Sequence, residues 1–179
     1  ILSELNSKEI YKIAVVMGSD SDLNTLKPAI DILREFRINT EVCILSAHRT
    51  PIEMMEYAKN AESENIKVII AGAGGAAHLP GMLASITCIP VIGVPVESKT
   101  LKGIDSLLSI VQMPSGIPVA TVAINGGQNA GLLAIGMVSL FDESIKKNLK
   151  EFRENLHTQV RNKNNKLSTI GPDNYLQSK

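Results

Sequence analysis

Residues 18–22, Gly-Ser-Asp-Ser-Asp, follow an apolar run and could hold a phosphorylated ligand. A helix that begins there presents free N–H groups, and the hydroxyls of Ser19 and Ser21 add donors for a phosphate. Asp20 and Asp22 would repel a phosphate at contact, so an aspartate in this loop is better suited to accept from a sugar hydroxyl. The alternatives are that Asp22 or Ser21 merely caps the helix, or that Asp20 and Asp22 bind Mg²⁺.

A second loop, residues 46–51, combines a titratable ring with a fixed cation in the sequence Ser-Ala-His-Arg-Thr-Pro. His48 can give or take a proton near neutral pH. The planar fork of Arg49 suits a phosphate or carboxylate, and Ser46 adds a hydroxyl. The alternative is a solvent-exposed His-Arg pair with no ligand, but three such side chains at one strand end favour a functional site.

A third loop is rich in small residues and spans 70–81. Small side chains allow a ligand to approach the backbone closely, which suits a small flat molecule. The spacing Gly72-x-Gly74-x-x-Ala77 also fits the loose dinucleotide-binding pattern, and Glu97 stands 20 residues after Ala77. However, the pattern lies in the third strand–helix unit rather than the first, and Pro80 interrupts the helix that follows.

The elements that must position these loops alternate along the chain. Short apolar runs predict strands, helical spacing of apolar residues predicts helices, and Thr50 with Glu53 forms a sequence capping box. We expect an α/β fold, a three-layer α/β/α sandwich of the flavodoxin or Rossmann type, whose central parallel sheet has about five strands. Ligands should bind beyond the carboxyl ends of the strands. The predicted strands are 11–17, 40–45, 68–72, 90–96 and 118–124, and the predicted helices are 23–36, 51–65, 79–86, 104–111 and 129–141.

Four motifs together resemble a known family. The chain contains Val-Met-Gly-Ser-Asp-Ser-Asp at 16–22, Ser-Ala-His-Arg-Thr-Pro at 46–51, Ala-Gly-Ala-Gly-Gly-Ala-Ala-His-Leu-Pro-Gly-Met at 71–82 and Asp-Ser-Leu-Leu-Ser-Ile-Val-Gln-Met-Pro at 105–114. This resembles the class I N5-carboxyaminoimidazole ribonucleotide mutase family, the catalytic subunit of phosphoribosylaminoimidazole carboxylase. Asn125 and the ending at 171–176 are similar to the carboxylase domain of fungal and plant bifunctional enzymes.

The resemblance implies a reaction and a set of site residues. It implies conversion of N5-carboxyaminoimidazole ribonucleotide to its 4-carboxy isomer in purine (IMP) biosynthesis, with no metal or other cofactor. His48 would be the catalytic acid and base. The other implied ligands of the ribonucleotide are Ser19, Ser46 and Arg49 for phosphate, Asp22 for ribose, and Ala73, Gly74, His78 and Leu79 for the base and carboxylate.

Three other functions compete with this one. Direct carboxylation of the aminoimidazole ribonucleotide by CO₂ is the nearest alternative. An NAD(P)-binding dehydrogenase would use the glycine loop with Glu97, and a non-catalytic nucleotide sensor would need no histidine.

Chain length and composition predict the domain organisation. The 179 residues suit one domain, with an N-terminal extension at 1–10, a single α/β catalytic domain at 11–160 and a polar tail at 161–179 that is peripheral or disordered.

A net charge of zero argues against general nucleic-acid binding. We expect a cytoplasmic location, no membrane span, buried free thiols at Cys43 and Cys88, and an apolar helix 129–141 that packs between subunits. The resemblance implies a homo-octamer, with an ATP-dependent carboxyaminoimidazole ribonucleotide synthetase as functional partner, separate or fused.

Overall fold

The computed structural model describes residues 11–178, so the predicted N-terminal extension lies outside the described residues. Five parallel strands form one sheet in the order β2-β1-β3-β4-β5. Helices cover both sides of this sheet, which confirms the predicted α/β class. The strands are β1 Lys12–Met17, β2 Asn39–Ile44, β3 Ile66–Gly74, β4 Val91–Val96 and β5 Ala120–Thr121.

Helices connect and follow the strands. They are α1 Leu23–Glu35, α2 Pro51–Asn60, α3 Leu79–Ala84, α4 Ile104–Val111, α5 Gly127–Val138 and α6 Glu143–Gln177, and a 3₁₀ turn at Asp20–Asp22 precedes α1. A first compact unit ends at Met137, and Val138 begins a second. The single domain at 11–160 stays a prediction. No helix within residues 11–178 combines the length and the apolar character that crossing a bilayer requires.

The central strands are buried because helices cover both of their faces. All six residues of β4 are buried, and so is β1 from Ile13 to Met17. Continuous apolar runs of this kind are typical of parallel sheets. The edge strand β2 differs, since Val42 and Ile44 are 44% and 56% exposed.

The strand register brings the functional loops to one edge of the sheet. Met17, the last residue of β1, pairs with Ile44 at the end of β2 and with Gly72 near the end of β3. Gly74 pairs with Val96, so β3 and β4 also end together. The chain order reverses between β1 and β3, which makes this edge the topological switch point where ligands bind in such sheets.

Several predicted boundaries are too long. The second helix ends at Asn60 rather than 65, and the chain turns before Asn65, which adopts a left-handed φ of 57°. The fifth strand is reduced to Ala120–Thr121. Pro118 has no N–H to donate to a ladder, which favours a strand that begins after it.

The polar tail is helical rather than disordered. α6 begins at Glu143, where the Asp142 carboxylate accepts from the backbone N–H groups of Ser144 and Ile145 at 2.9 and 3.2 Å. The helix continues to Gly171, whose φ of 76° and ψ of 164° break it before Pro172. Residues 161–170 contain no glycine or proline, so that stretch has no strong helix breaker.

The thiol environments differ from the prediction at one of the two cysteines, and the packing of α5 between subunits stays a prediction. Cys43 is half-buried, but Cys88 is exposed, so the prediction of a buried thiol is wrong at that position. Burial raises the pKa of the Cys43 thiol to about 11, which keeps it protonated and unreactive at neutral pH. In α5, Ala130, Ala134 and Ile135 are buried within the chain, while Leu133 remains exposed.

Gly127→Ala should destabilise the protein by about 1–3 kcal/mol. A Cβ atom on Gly127 would lie 2.1 Å from the carbonyl oxygen of Thr25 in α1, and backbone cannot move aside cheaply. Gly81→Ala is the matched control, because its Cβ would meet the flexible end of Met113 at 2.9 Å. The helix propensity of Ala offsets that displacement, so its unfolding free energy should stay within about 1 kcal/mol of wild type. Equal losses in urea unfolding would contradict this packing.

Candidate active site

A cavity of about 600 Å³ opens at the carboxyl ends of the strands. This volume lies within the usual range for small-molecule sites. The structure places all of the sequence-predicted site residues on its walls, although their roles remain predictions. They are Ser19, Asp22, Ser46, His48, Arg49, Ala73, Gly74, His78 and Leu79.

The loop after β1 is closed by a reciprocal capping box. Ser19 occupies the N-cap position, and its Oγ accepts from the backbone N–H of Ser21 at 3.4 Å. The backbone N–H of Ser19 in turn donates to Asp22 Oδ2 at 3.1 Å. The capping alternative for this loop is therefore real, but Ser19 is the capping residue and Asp22 closes the box.

Asp22 is a buried carboxylate, only 7% exposed, at the floor of this loop. Burial raises its pKa above the usual value, and this outweighs the hydrogen bonds from Ser19 and Ser21 and the attraction of the Arg49 guanidinium. The neighbouring Asp20 Oδ1 accepts from Ser19 Oγ and from the Ser21 N–H, both at 3.0 Å. Both aspartates are thus engaged in local hydrogen bonds. Across residues 11–178, no group of three or more His, Cys, Asp or Glu side chains is arranged to hold a metal ion.

The loop after β2 is held by Thr50 from inside. Thr50 Oγ1 accepts from the Ser46 N–H at 2.9 Å and donates to the Ser46 carbonyl at 3.2 Å. These contacts occupy the hydroxyl that the predicted capping box required, and Thr50 makes no side-chain cap bond to α2. The sequence prediction of a Thr50–Glu53 box is therefore wrong, while Pro51 does begin the helix as expected.

Arg49 is anchored between two strand ends. Its Nε donates to Ser46 Oγ at 3.2 Å, and its Nη2 donates to the Gly18 carbonyl at 3.0 Å. A guanidinium carries more N–H donors than these two contacts use. The fork can therefore bind an anion in the cavity while its position is fixed by the loops after β1 and β2.

His48 and His78 form a direct pair on the cavity wall. His48 Nε2 lies 2.8 Å from His78 Nδ1, and the rings meet edge to face with centroids 4.9 Å apart. One nitrogen must donate and the other accept, so the pair shares one proton in its contact. Both rings remain exposed to the cavity. An exposed, hydrogen-bonded imidazole pair can transfer protons to and from a bound ligand.

The glycine run does not have dinucleotide-binding geometry. That pattern needs its glycines in the turn between strand and helix. Here Gly72 and Gly74 lie within β3, and the helix that follows, α3, has only six residues. A Cβ atom on Gly72 would lie 2.8 Å from Leu26 Cδ1, so this glycine is needed for packing of α1 on the sheet.

The sequence analysis named no ribonucleotide ligand in the loop after β4, although this loop starts at a strand end where ligands were expected. Glu97, Ser98 and Lys99 line the cavity with Val96. Asn125 supports this loop, because its Oδ1 accepts from the Glu97 N–H at 3.0 Å and its Nδ2 donates to Glu97 Oε2 at 3.2 Å. The available signal was position, since this loop leaves the carboxyl end of the strand beside β3.

The fold and the site together define a parallel α/β enzyme whose ligand site lies at the switch point of its sheet. The AIR carboxylase family model matches residues 12–159. N5-carboxyaminoimidazole ribonucleotide mutase of Thermotoga maritima is 56% identical over 168 residues, covering 94% of this chain and 98% of the relative. The chain therefore belongs to the AIR carboxylase family.

Two further relatives extend this comparison. Phosphoribosylaminoimidazole carboxylase of Candida glabrata is 52% identical over 181 residues, and this chain spans only 32% of its length. The crystal structure of Treponema denticola PurE superposes with a TM-score of 0.80 at 29% identity, covering 87% of this chain and 98% of that one. The same fold thus occurs as a separate chain and as one part of a longer polypeptide.

Asp22→Asn should raise the thermal unfolding midpoint near pH 7. The raised pKa of Asp22 means that its charged form costs stability in the folded state, and an amide oxygen can still accept from Ser19 N–H. As the pH falls toward the ordinary aspartate value of 3.8, wild-type Asp22 becomes protonated and the difference should shrink.

Asp20→Asn controls for loss of one negative charge from the same loop, at an exposed position. The quantity to compare is the midpoint of each variant minus wild type between pH 4 and pH 8, by calorimetry. A lower midpoint for Asp22→Asn at pH 7 would show that the hydrogen bonds to the carboxylate outweigh its burial.

Proposed function

We propose that this chain converts N5-carboxyaminoimidazole ribonucleotide into 4-carboxy-5-aminoimidazole ribonucleotide, as a mutase of de novo purine biosynthesis. One observation carries the proposal. The His48–His78 pair lies on the wall of a cavity that also contains the anchored fork of Arg49. A proton-transferring group beside an anion site is what the isomerisation of a carboxylated ribonucleotide phosphate requires. The name of the T. maritima relative supports the same reaction.

We expect the substrate to occupy the cavity in the orientation that matches its groups to the lining residues. Its phosphate would bind at the loops after β1 and β2, where hydroxyls and the guanidinium converge. The buried carboxylate of Asp22 would accept from a ribose hydroxyl. The base and its carboxyl group would then lie along the glycine loop, against the two imidazoles. In this assignment Ser19, Ser46 and Arg49 bind phosphate, and Ala73, Gly74, His78 and Leu79 contact the base and carboxylate.

The chemistry needs one proton to leave and return. His48 donates a proton to the exocyclic nitrogen as its bond to the carboxyl carbon breaks, which releases CO₂ and the free amine. Carbon 4 of the imidazole then attacks the retained CO₂ and forms the new carbon–carbon bond. His48 removes the proton from carbon 4, which restores the aromatic ring and the starting protonation state.

Two effects of different size account for the rate. General acid–base transfer contributes about 10²–10⁴-fold. Retaining CO₂ beside the ring replaces a dilute encounter with a local one, which is worth up to about 7–11 kcal/mol. Confinement is the larger effect, so the walls of the cavity matter as much as the imidazole.

The wider setting is part of the proposal. We expect a cytoplasmic homo-octamer that uses no metal or organic cofactor and receives its substrate from an ATP-dependent carboxyaminoimidazole ribonucleotide synthetase, separate or fused. The fusion is supported by the length of the C. glabrata relative. Assembly is supported by the outer face of α4, where Ile104, Leu108 and Val111 are about half exposed in the single chain.

His48→Asn should retain nucleotide affinity and lose at least about 10²-fold in turnover, because it removes the acid and base but not the phosphate ligands. Arg49→Ala is the informative contrast, since it should weaken binding of the nucleotide more than it slows conversion. Single-turnover conversion and calorimetric binding of the product measure the two effects separately. Turnover above a tenth of wild type in His48→Asn would remove His48 from the reaction, and binding by wild type without conversion would indicate a nucleotide sensor.

The carbamate substrate separates the mutase from a direct carboxylase. We expect fast conversion of N5-carboxyaminoimidazole ribonucleotide without added bicarbonate, because the CO₂ is released and consumed within the cavity. With ¹³C-bicarbonate in the buffer, the product should contain little label. Extensive labelling, or a rate that rises with bicarbonate while the carbamate is inert, would instead identify direct carboxylation of the aminoimidazole ribonucleotide.

A further inference from the structure

One of the four family-like motifs has no role in the proposed reaction. The motif at 105–114 forms most of α4, and none of its residues lines the cavity among those described. Two of its serines nevertheless reach the glycine loop that does line it. Both contact the polar backbone groups of Gly75.

Ser106 makes the stronger of these links. Its side chain is fully buried at 0% exposure. Its Oγ accepts from the Gly75 N–H at 2.9 Å and donates to the Val96 carbonyl at 2.6 Å. The single hydroxyl thus joins the end of β4 to the glycine loop, with one donor and one acceptor both satisfied.

Ser109 contacts the carbonyl group of the same residue, Gly75. Its Oγ lies 3.2 Å from the Gly75 carbonyl oxygen and 2.7 Å from the Asp105 carbonyl oxygen. One hydroxyl hydrogen serves both acceptors, so this contact is weaker than that of Ser106. Together the two serines bind the N–H and the C=O of Gly75 from one helix.

Gly75 is a position where such binding has consequences. It adopts a left-handed φ of 70°, which lets the chain turn sharply out of β3. Two tight contacts follow, from the Ala77 N–H to the Gly75 carbonyl and from the His78 N–H to the Ala76 carbonyl, both at 2.9 Å. A shift of Gly75 is therefore transmitted within three residues to the ring that contacts His48.

We propose that Ser106 is a positioning residue that, through Gly75, sets the His78 ring against His48. Ser109 assists it through the carbonyl group of Gly75. Neither serine touches the substrate in this scheme, since both act through the backbone of the glycine loop. The kinetic part of this inference rests on the proposed function, whereas the geometric part depends only on the imidazole pair.

The imidazole pair can be observed directly, because the chain has only three histidines. In the full-length protein labelled with ¹⁵N-histidine, the hydrogen bond should displace the ring nitrogen signals of His48 and His78, assigned with single-histidine variants. Ser106→Ala should move these signals toward those of a solvated imidazole. The signals of the third histidine, His157 in α6, should stay unchanged. Signals identical to wild type in Ser106→Ala would overturn the proposal.

Ile110→Val is the matched control for simple loss of stability. Ile110 is fully buried in the same helix, and its Cγ2 atom lies where a Cβ atom on Gly93 of β4 would be. It should lower the unfolding midpoint but leave the imidazole signals and turnover close to wild type. If Ile110→Val moves the same signals as Ser106→Ala, the effect belongs to the packing of α4 and the positioning role is wrong.

Turnover provides the second measurement. Ser106→Ala should lower kcat about 10-fold or more with little change in KM, because misplaced reacting groups slow the chemistry without removing the phosphate ligands. Ser109→Ala should act in the same direction but less strongly, and Ser109→Thr should restore the wild-type value because it keeps the hydroxyl. A fall confined to affinity, or no rescue by threonine, would contradict the proposal.

The proposal stays testable if Ser106→Ala does not fold or if the proposed function fails. If Ser106→Ala does not fold, the Ser109→Ala and Ser109→Thr pair decides through the same imidazole signals. If His48→Asn retains turnover, the proposed chemistry fails, but the signals still show whether the serines of α4 set the pair.

Discussion

The in-register pairing of β1, β3 and β4 is the constraint on which the site depends. Each strand is buried because its apolar side chains are covered on both faces, and parallel pairing then requires their carboxyl ends to lie together. Because β2 pairs with β1 and ends level with it, four loops that are distant in sequence emerge beside one another at this edge, after β1, β2, β3 and β4. Any side chain in those loops is carried to the cavity by the sheet, independently of its own interactions.

The backbone of these loops leaves the sheet and loses the ladder hydrogen bonds. Other contacts must therefore hold the loops in place. Short polar side chains supply these contacts here. Thr50 binds both backbone groups of Ser46, Asn125 binds Glu97, and Ser106 binds Gly75. Each contact holds a loop that lines the cavity, so the polar residues around the site hold the loops in place and leave the ligand-facing groups available.

The electrostatics of the cavity follow from this arrangement. Arg49 is fixed by Ser46 and the Gly18 carbonyl, so its charge is presented to the cavity at little further entropic cost. Asp22 is buried in the neighbouring loop after β1, where its charge is costly and partly compensated by hydrogen bonds. A cation held in place beside a buried carboxylate favours a ligand with both an anionic group and a hydroxyl.

Local patterns in the sequence determined the α/β class and the strands β1, β3 and β4, because apolar runs are readable without coordinates. Together with the family resemblance, the chemistry of Ser, His and Arg at strand ends also named nine of the residues that line the cavity. The ends of α2 and β5, the exposure of Cys88 and the helical tail were misjudged; the exposure of Cys88, for example, depends on which neighbours cover it and cannot be read from an apolar run. Only the tertiary structure brought His78 to His48 and Ser106 to Gly75. Those contacts join residues 30 and 31 positions apart, and the packing of whole helices on the sheet, not local sequence, decides which such residues meet.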